Sequence, residues 1–267
     1  VLGRPPALPA AYDNPQAERV TSVADAAAAL GADPGGVIAF GEIHQTKATA
    51  RVRSALARFT DEILPVLAPH AGHLVIETWL APEGCGETEK RVDADVARTT
   101  ERPAATENEI VRLGRRAKEL GVQPHVLAIG CDEYQTLIAS AGGGVDYDKL
   151  LSITERHLEQ AIRQALALPR SAARPVVIVY GGALHNDLHP DPELAKYTFG
   201  RAIFALTRGA YREVDLYVPE MVDATPALKA EPWYGAWRGA GAGKQPALVR
   251  RSRASSVILF RRGARQP

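Results

Sequence analysis

Val37-Ile38-Ala39-Phe40-Gly41-Glu42-Ile43-His44 is the stretch on which the reading of this chain turns. An apolar, β-branched run reads as a buried strand, and it leads directly into glycine, glutamate and histidine. The layout recurs far along the chain, where Val176-Val177-Ile178-Val179-Tyr180 passes through Gly181 into Gly182-Ala183-Leu184-His185. In both places a histidine stands just past a strand, where α/β proteins keep their binding and catalytic groups.

Working outward, Thr46 to Leu67 places Val52, Leu56, Phe59, Ile63 and Leu67 at spacings of three and four, which predicts an amphipathic helix. A shorter alanine-rich helix is expected from Glu18 to Leu30, closed by Gly31 and followed by an Asp33-Pro34-Gly35-Gly36 turn. His73 to Ile76 reads as the next strand, ending at Glu77. Pro124 to Ile129 reads as a third, ending at Gly130-Cys131-Asp132-Glu133, and a helix from Ala105 to Leu120 lies between them. Further helices are expected from Asp146 to Leu168 and from Glu193 to Thr207, with late strands at Glu213 to Val218 and Ser256 to Phe260. Strands and helices alternating at this interval predict an α/β fold, a mostly parallel sheet flanked by helices on both faces. Residues 1–15 read as an extended leader and 16–267 as one α/β domain. Within it, 81–103 is a helical or loop insertion placed to act as a lid, and Pro226 to Pro246 reads as surface loop.

Composition narrows the function. Lysine and arginine total 32 against 31 acidic residues among 267, which leaves no overall field to hold nucleic acid. No apolar run approaches the roughly 18 residues of a membrane span. The two cysteines, Cys85 and Cys131, allow at most one bridge and no cysteine-rich metal site, and Cys131 reads as an apolar filler rather than a nucleophile. The Pro/Ala-rich beginning suits an exported protein, periplasmic or lipoprotein, whose leader has been removed. The sequence carries no Gly-x-Ser-x-Gly elbow, and Gly142-Gly143-Gly144 lacks the lysine of a phosphate loop, so it reads as a flexible connection.

If the strands are parallel, their carboxyl ends bring Glu42, His44, Glu77, Asp132, Glu133 and His185 to one rim. Like carboxylates repel and desolvation penalises their charge, so such a gathering is expected to share a ligand or a proton. Two chemistries suit it. His44 and His185 with Glu42 or Glu77 hold a divalent metal such as Mn, Co or Zn that activates water; or one histidine acts as base, oriented by a carboxylate, while the other histidine or Arg51 stabilises an oxyanion. Gly41 and Gly182 are read as strand-exit glycines with positive φ that admit the substrate to the backbone.

Gly41-Glu42-Ile43-His44, the strand-ending Ile76-Glu77 and Gly182-Ala183-Leu184-His185 together resemble the superfamily of ChaN-like haem-binding uptake proteins, Tiki proteases, TraB proteins and erythromycin esterases. The order of elements agrees over residues 36–210, and the Gly-Glu-x-His spacing is most similar to the ChaN-like branch; the esterase branch has one more residue before its histidine. The resemblance implies an α/β core with paired histidines and glutamates in a cleft. Across its branches it implies metal-dependent peptide hydrolysis, hydrolysis of a cyclic ester, or haem binding. It carries over Glu42, His44, Glu77 and His185. Tyr180 and Tyr134 are further candidates, as phenolate ligands in the haem alternative; Arg51, Asp132 and Tyr180 form a second tier of the catalytic set.

The expectation is a hydrolase of an ester or amide bond in a small molecule or peptide. A haem-binding protein without catalysis, and a biosynthetic enzyme using the same residues for elimination or cyclisation, are the alternatives.

Overall fold

The computed structural model describes residues 6–12, 14–30, 36–138 and 144–263. The turn at Asp33 to Gly35, the closing Gly31 and the glycines at 142 and 143 lie outside the described residues.

Eight strands form one sheet: β1 (Ala17–Arg19), β2 (Val37–Glu42), β3 (Ala71–Leu80), β4 (Gln123–Ala128), β5 (Val176–Gly182), β6 (Tyr211–Tyr217), β7 (Ala247–Arg250) and β8 (Ser255–Leu259), in the order β1-β7-β8-β6-β2-β5-β3-β4. The pairings from β8 through β6, β2, β5 and β3 to β4 are all parallel; β7 runs antiparallel to both β8 and β1. The expected α/β fold with a mostly parallel sheet is therefore the observed one.

The period of two along β2 divides the core. Ile38 and Phe40 face one cluster with Leu74, Ile76, Ile178 and Tyr180, while Val37 and Ala39 face another with Val75, Val177 and Val179. Both faces are covered, which is why β2 and β5 are buried along their whole length and read as continuous apolar runs.

Over the first face lie α1 (Val23–Ala29), α2 (Ala55–Arg58) and α3 (Leu64–Leu67). Next in the chain come α4 (Gly86–Thr100), α5 (Ala105–Glu119), which joins the first face, and α6 (Cys131–Thr136). The second face is covered by α7 (Tyr147–Ala167) and, after the short α8 (Ala183–Asn186), by α9 (Gly200–Leu206). No helix among the described residues is long and apolar enough to cross a membrane.

Several expected elements take a different form. Residues 17–19, expected in a helix, pair with β7 as an edge strand, and α1 starts only at Val23, where the Ser22 hydroxyl accepts the Asp25 N–H at 3.1 Å. The helix expected from Thr46 to Leu67 is broken. A 3-10 turn holds Lys47–Thr49, α2 begins at Ala55, and a widened π turn, Phe59–Ile63, precedes α3. Its apolar face is nonetheless as read, with Leu56, Phe59, Ile63 and Leu67 buried. The helix expected from Glu193 begins at Gly200, after a 3-10 turn at Ala195–Tyr197.

The supposed lid, 81–103, is mostly α4, and the cysteines are neither filler nor nucleophile: Cys85 and Cys131 form a disulfide that joins the entry of α4 to the start of α6. The supposed loop 226–246 holds two more helices, α10 (Pro226–Lys229) and α11 (Pro232–Gly239), whose Trp233 and Trp237 are fully buried against β7 and β8.

Candidate active site at the strand ends

β5 lies between β2 and β3, so the carboxyl ends of three neighbouring strands deliver Glu42, Glu77 and the glycines that precede His185 to one place. Glu42 ends β2 on the same face as Phe40, and its two oxygens are both engaged. Oε1 accepts His44 Nδ1–H at 3.1 Å, and Oε2 accepts the Tyr180 hydroxyl at 2.7 Å. Burial raises the Tyr180 phenol well above its ordinary range, and Glu42 beside it adds to that, so the phenol stays a donor.

Glu77 leaves β3 at an irregularity in the pairing with β4 between Ile76 and Trp79. Its Oε2 accepts the Gly182 N–H at 2.6 Å. Its other oxygen, Oε1, faces two imidazoles: His44 Nε2 at 3.9 Å and His185 Nε2 at 4.0 Å. Burial pushes the Glu77 carboxyl up, but the positive charges of His185 and His44 in their protonated forms, with Arg102 and the Gly182 N–H, outweigh it and hold the group below the usual glutamate range.

The tautomers follow from the partners. His185 Nδ1 lies 2.7 Å from the Tyr197 carbonyl oxygen, which can only accept, and His44 Nδ1 faces a carboxylate. Each neutral ring therefore carries its proton on Nδ1 and turns an Nε2 lone pair toward Glu77. Separations of 3.9 and 4.0 Å exceed a hydrogen bond and suit an atom held between the groups.

The glycines serve by leaving room. Neither Gly41 nor Gly182 has positive φ, which corrects the strand-exit expectation. A Cβ on Gly182 would lie 3.1 Å from His44 Nε2, and one on Gly41 would meet the Ala183 Cα at 2.6 Å. α8 and the His44 ring occupy the space that side chains would need.

A small pocket with a cavity volume of about 10 Å3, open to solvent, adjoins the site on its His44 side; Glu42, His44, Gln45, Ser54, Arg102 and Glu109 are in its wall. His44 connects the two regions. Its side chain is 34% exposed, while those of Glu77 and His185, at 12% and 5%, lie deeper. Burial pushes the Glu109 carboxyl up, against the hydrogen bond it accepts from Ser54 Oγ at 2.6 Å.

The sequence-predicted residues divide accordingly. Glu42, His44, Glu77, Tyr180 and His185 come together. Arg51 and Asp132 are exposed, with no role in this network, and Glu133 pairs with His157 and Arg156 instead. Tyr134 is 2% exposed, set edge-on against Trp79 among Val92, Ile129 and Leu137, and burial raises its phenol to about 12. Neither tyrosine proposed for haem is thus poised as a phenolate. Of the two carboxylates expected as alternatives beside the histidines, Glu77 is the one facing both Nε2 atoms, while the Glu42 oxygens address His44 Nδ1 and Tyr180. Among the described residues no group of three His, Cys, Asp or Glu side chains is arranged as a metal site. Arg102, Ser54 and Glu109 were missed by sequence reasoning; they sit on helices and a helix exit with no motif around them.

No family model matches this chain, and no match was found among curated proteins or solved structures.

Proposed function

We propose that the protein hydrolyses an ester or amide bond in a small molecule or peptide, with water activated between His44 and Glu77. The observation that carries this reading is the convergence of two imidazole lone pairs on one carboxylate oxygen, each ring fixed by a bond at its far nitrogen. His44 Nε2 takes the proton of the attacking water. Glu42, itself held by Tyr180, stabilises the imidazolium that forms, as a carboxylate does behind any histidine base. His44 then returns the proton to the leaving group. His185 Nε2, 4.0 Å from Glu77 Oε1, is a second acceptor for the hydrogens of that water. The pocket has room for about one water, the place of the nucleophile, so the bulk of a substrate would lie across its open mouth beside His44.

A second reading has a specific support: lone-pair nitrogens backed by a carboxylate and a carbonyl have the outer arrangement of metal-binding histidines. His44, His185 and Glu77 are not arranged as a preformed metal site among the described residues and would have to draw closer together to hold a divalent ion, which when bound would supply a more acidic water. The Cys85–Cys131 bridge is of a kind that persists in oxidising compartments, which fits an exported protein.

The test is turnover of a panel of 4-nitrophenyl esters and short peptides, with elemental analysis of protein purified without chelators. His44→Ala is expected to lower kcat about 100-fold or more with the circular dichroism spectrum retained. Full activity in both His44→Ala and His185→Ala would remove the hydrolytic scheme. A stoichiometric transition metal lost in those variants would favour the second reading.

A further inference from the structure

Arg102 is the group in the site that the hydrolytic scheme leaves unused. It follows Glu101, whose backbone enters the left-handed region at φ 50° as α4 ends, and the Glu101 carbonyl oxygen accepts the Lys47 N–H at 2.8 Å. That bond ties the end of α4 to the loop that carries His44, and the backbone so held brings Arg102 to the pocket wall.

Three other polar groups of the wall are occupied. Glu42 is bonded at both oxygens; Gln45 Nε2 donates to Thr49 O at 2.7 Å and Val52 O at 2.6 Å; Ser54 donates to Glu109. Arg102 is different. Among the described residues no hydrogen bond or ion pair reaches its guanidinium, and its Nε is shielded from solvent without a partner. A guanidinium offers five donors in a planar fork, and a donor kept from both water and partners is unfavourable unless something else completes it. Glu77 feels the Arg102 charge, yet no oxygen of it lies within ion-pair distance. α5 begins beside this space, with Thr106 of its first turn in the same wall and no side chain capping its start, so the helix adds positive potential there.

We infer that Arg102 binds an oxyanion of the substrate, a carboxylate or phosphate group held on the pocket wall beside His44. The inference rests on the reading of this pocket as the substrate site. Bidentate pairing is what the guanidinium fork provides and what a lysine in its place would lose.

The experiment is calorimetric titration of the full chain with succinate and, separately, with inorganic phosphate. Binding of one or both at millimolar concentration is expected, and the tighter one names the class. Arg102→Gln should weaken it about tenfold or more, and Arg102→Lys should also weaken it, to a lesser degree. No binding by the unaltered chain overturns the inference, as does binding undiminished in the variants. Should Arg102→Gln fail to fold, the unaltered chain and Arg102→Lys decide by the same criteria. Hydrolysis of 4-nitrophenyl acetate and of 4-nitrophenyl hydrogen succinate separates the two readings, because Arg102→Gln should raise KM more for the charged ester. If neither ester is cleaved while anion binding follows Arg102, the hydrolase reading fails and the anion site stands; if both are cleaved and the titration fails, the reverse holds.

Discussion

Gly182 shows how closely chemistry and space are joined at single residues. Its N–H holds Glu77, and the volume where its side chain would be is taken by the His44 ring. Gly182→Ala should therefore displace His44 by a few tenths of an ångström and lower kcat/KM by about tenfold or more, as misplacement of a base does, with the unfolding midpoint nearly unchanged. Unaltered kinetics in that variant would show that the position of His44 is not critical. The opposite side of the molecule offers a pH effect. His73 Nδ1 lies 3.0 Å from His125 Nε2 across β3 and β4, and burial lowers both imidazoles below their usual 6.5, with Arg170 and the neighbouring imidazole acting in the same direction on His73 and His125 respectively. Because the folded pair binds protons less readily than the unfolded chain, its stability is intact above pH 6.5 and lost as pH falls through the lowered folded values. Urea unfolding at pH 7 and pH 5 should show this decline, and His125→Gln should make it shallower; equal pH dependence in the variant would count against the pair as its source.

Among the elements, α4 is the one whose part in the site was least visible. Its 15 residues are largely exposed, only Val92 being buried, so apolar packing alone fixes it weakly. It is held at the start by Cys85–Cys131 and at the end by Glu101 to Lys47. The bridge spans 46 residues, and its removal in a Cys85→Ser/Cys131→Ser chain should lower unfolding free energy by about 2–4 kcal/mol. Guanidinium unfolding with and without reductant measures this, and coincident curves would mean that the bridge is not stabilising. The sequence made residues 81–103 look like an insertion because charge and glycine surround Cys85. With two cysteines the only possible partner of Cys85 is Cys131, but whether the bridge forms is not legible, since a disulfide depends on the distance between chain segments and not on their composition.

Over the whole molecule, a second polar cluster lies beneath the sheet's centre. Arg251 pairs with Glu213 and, at 2.8 Å, with Asp215, two buried carboxylates on β6. Asp215 also accepts from Tyr217 at 3.2 Å, and Glu213 from the Leu188 N–H at 3.0 Å, so the cluster joins the C-terminal strands to the segment after His185. Arg251→Met leaves two buried carboxylates without their cation and should destabilise the fold by about 3–5 kcal/mol, read as a shift in urea midpoint. A loss below about 1 kcal/mol would show that the carboxylates find other partners. Nothing in the sequence around Arg251 points to this pairing, because a salt bridge to residues almost forty positions away leaves no local pattern.

The amino-acid sequence alone determined the strands β2, β3, β4, β5, β6 and β8, their alternation with helices, and the polar residues that stand just beyond them. Period and β-branching record which faces are buried, and that information is local. The tertiary structure decided the rest: that β5 separates β2 from β3, which seats Glu77 on Gly182 between two imidazoles; that Ala17–Arg19 and Ala247–Arg250 are strands; that the tryptophan-bearing segment is helical; and that Arg102 reaches the pocket. A hydrophobic pattern states that a residue must be covered and leaves open by what, so partners distant in the chain are fixed only when strand order and packing are.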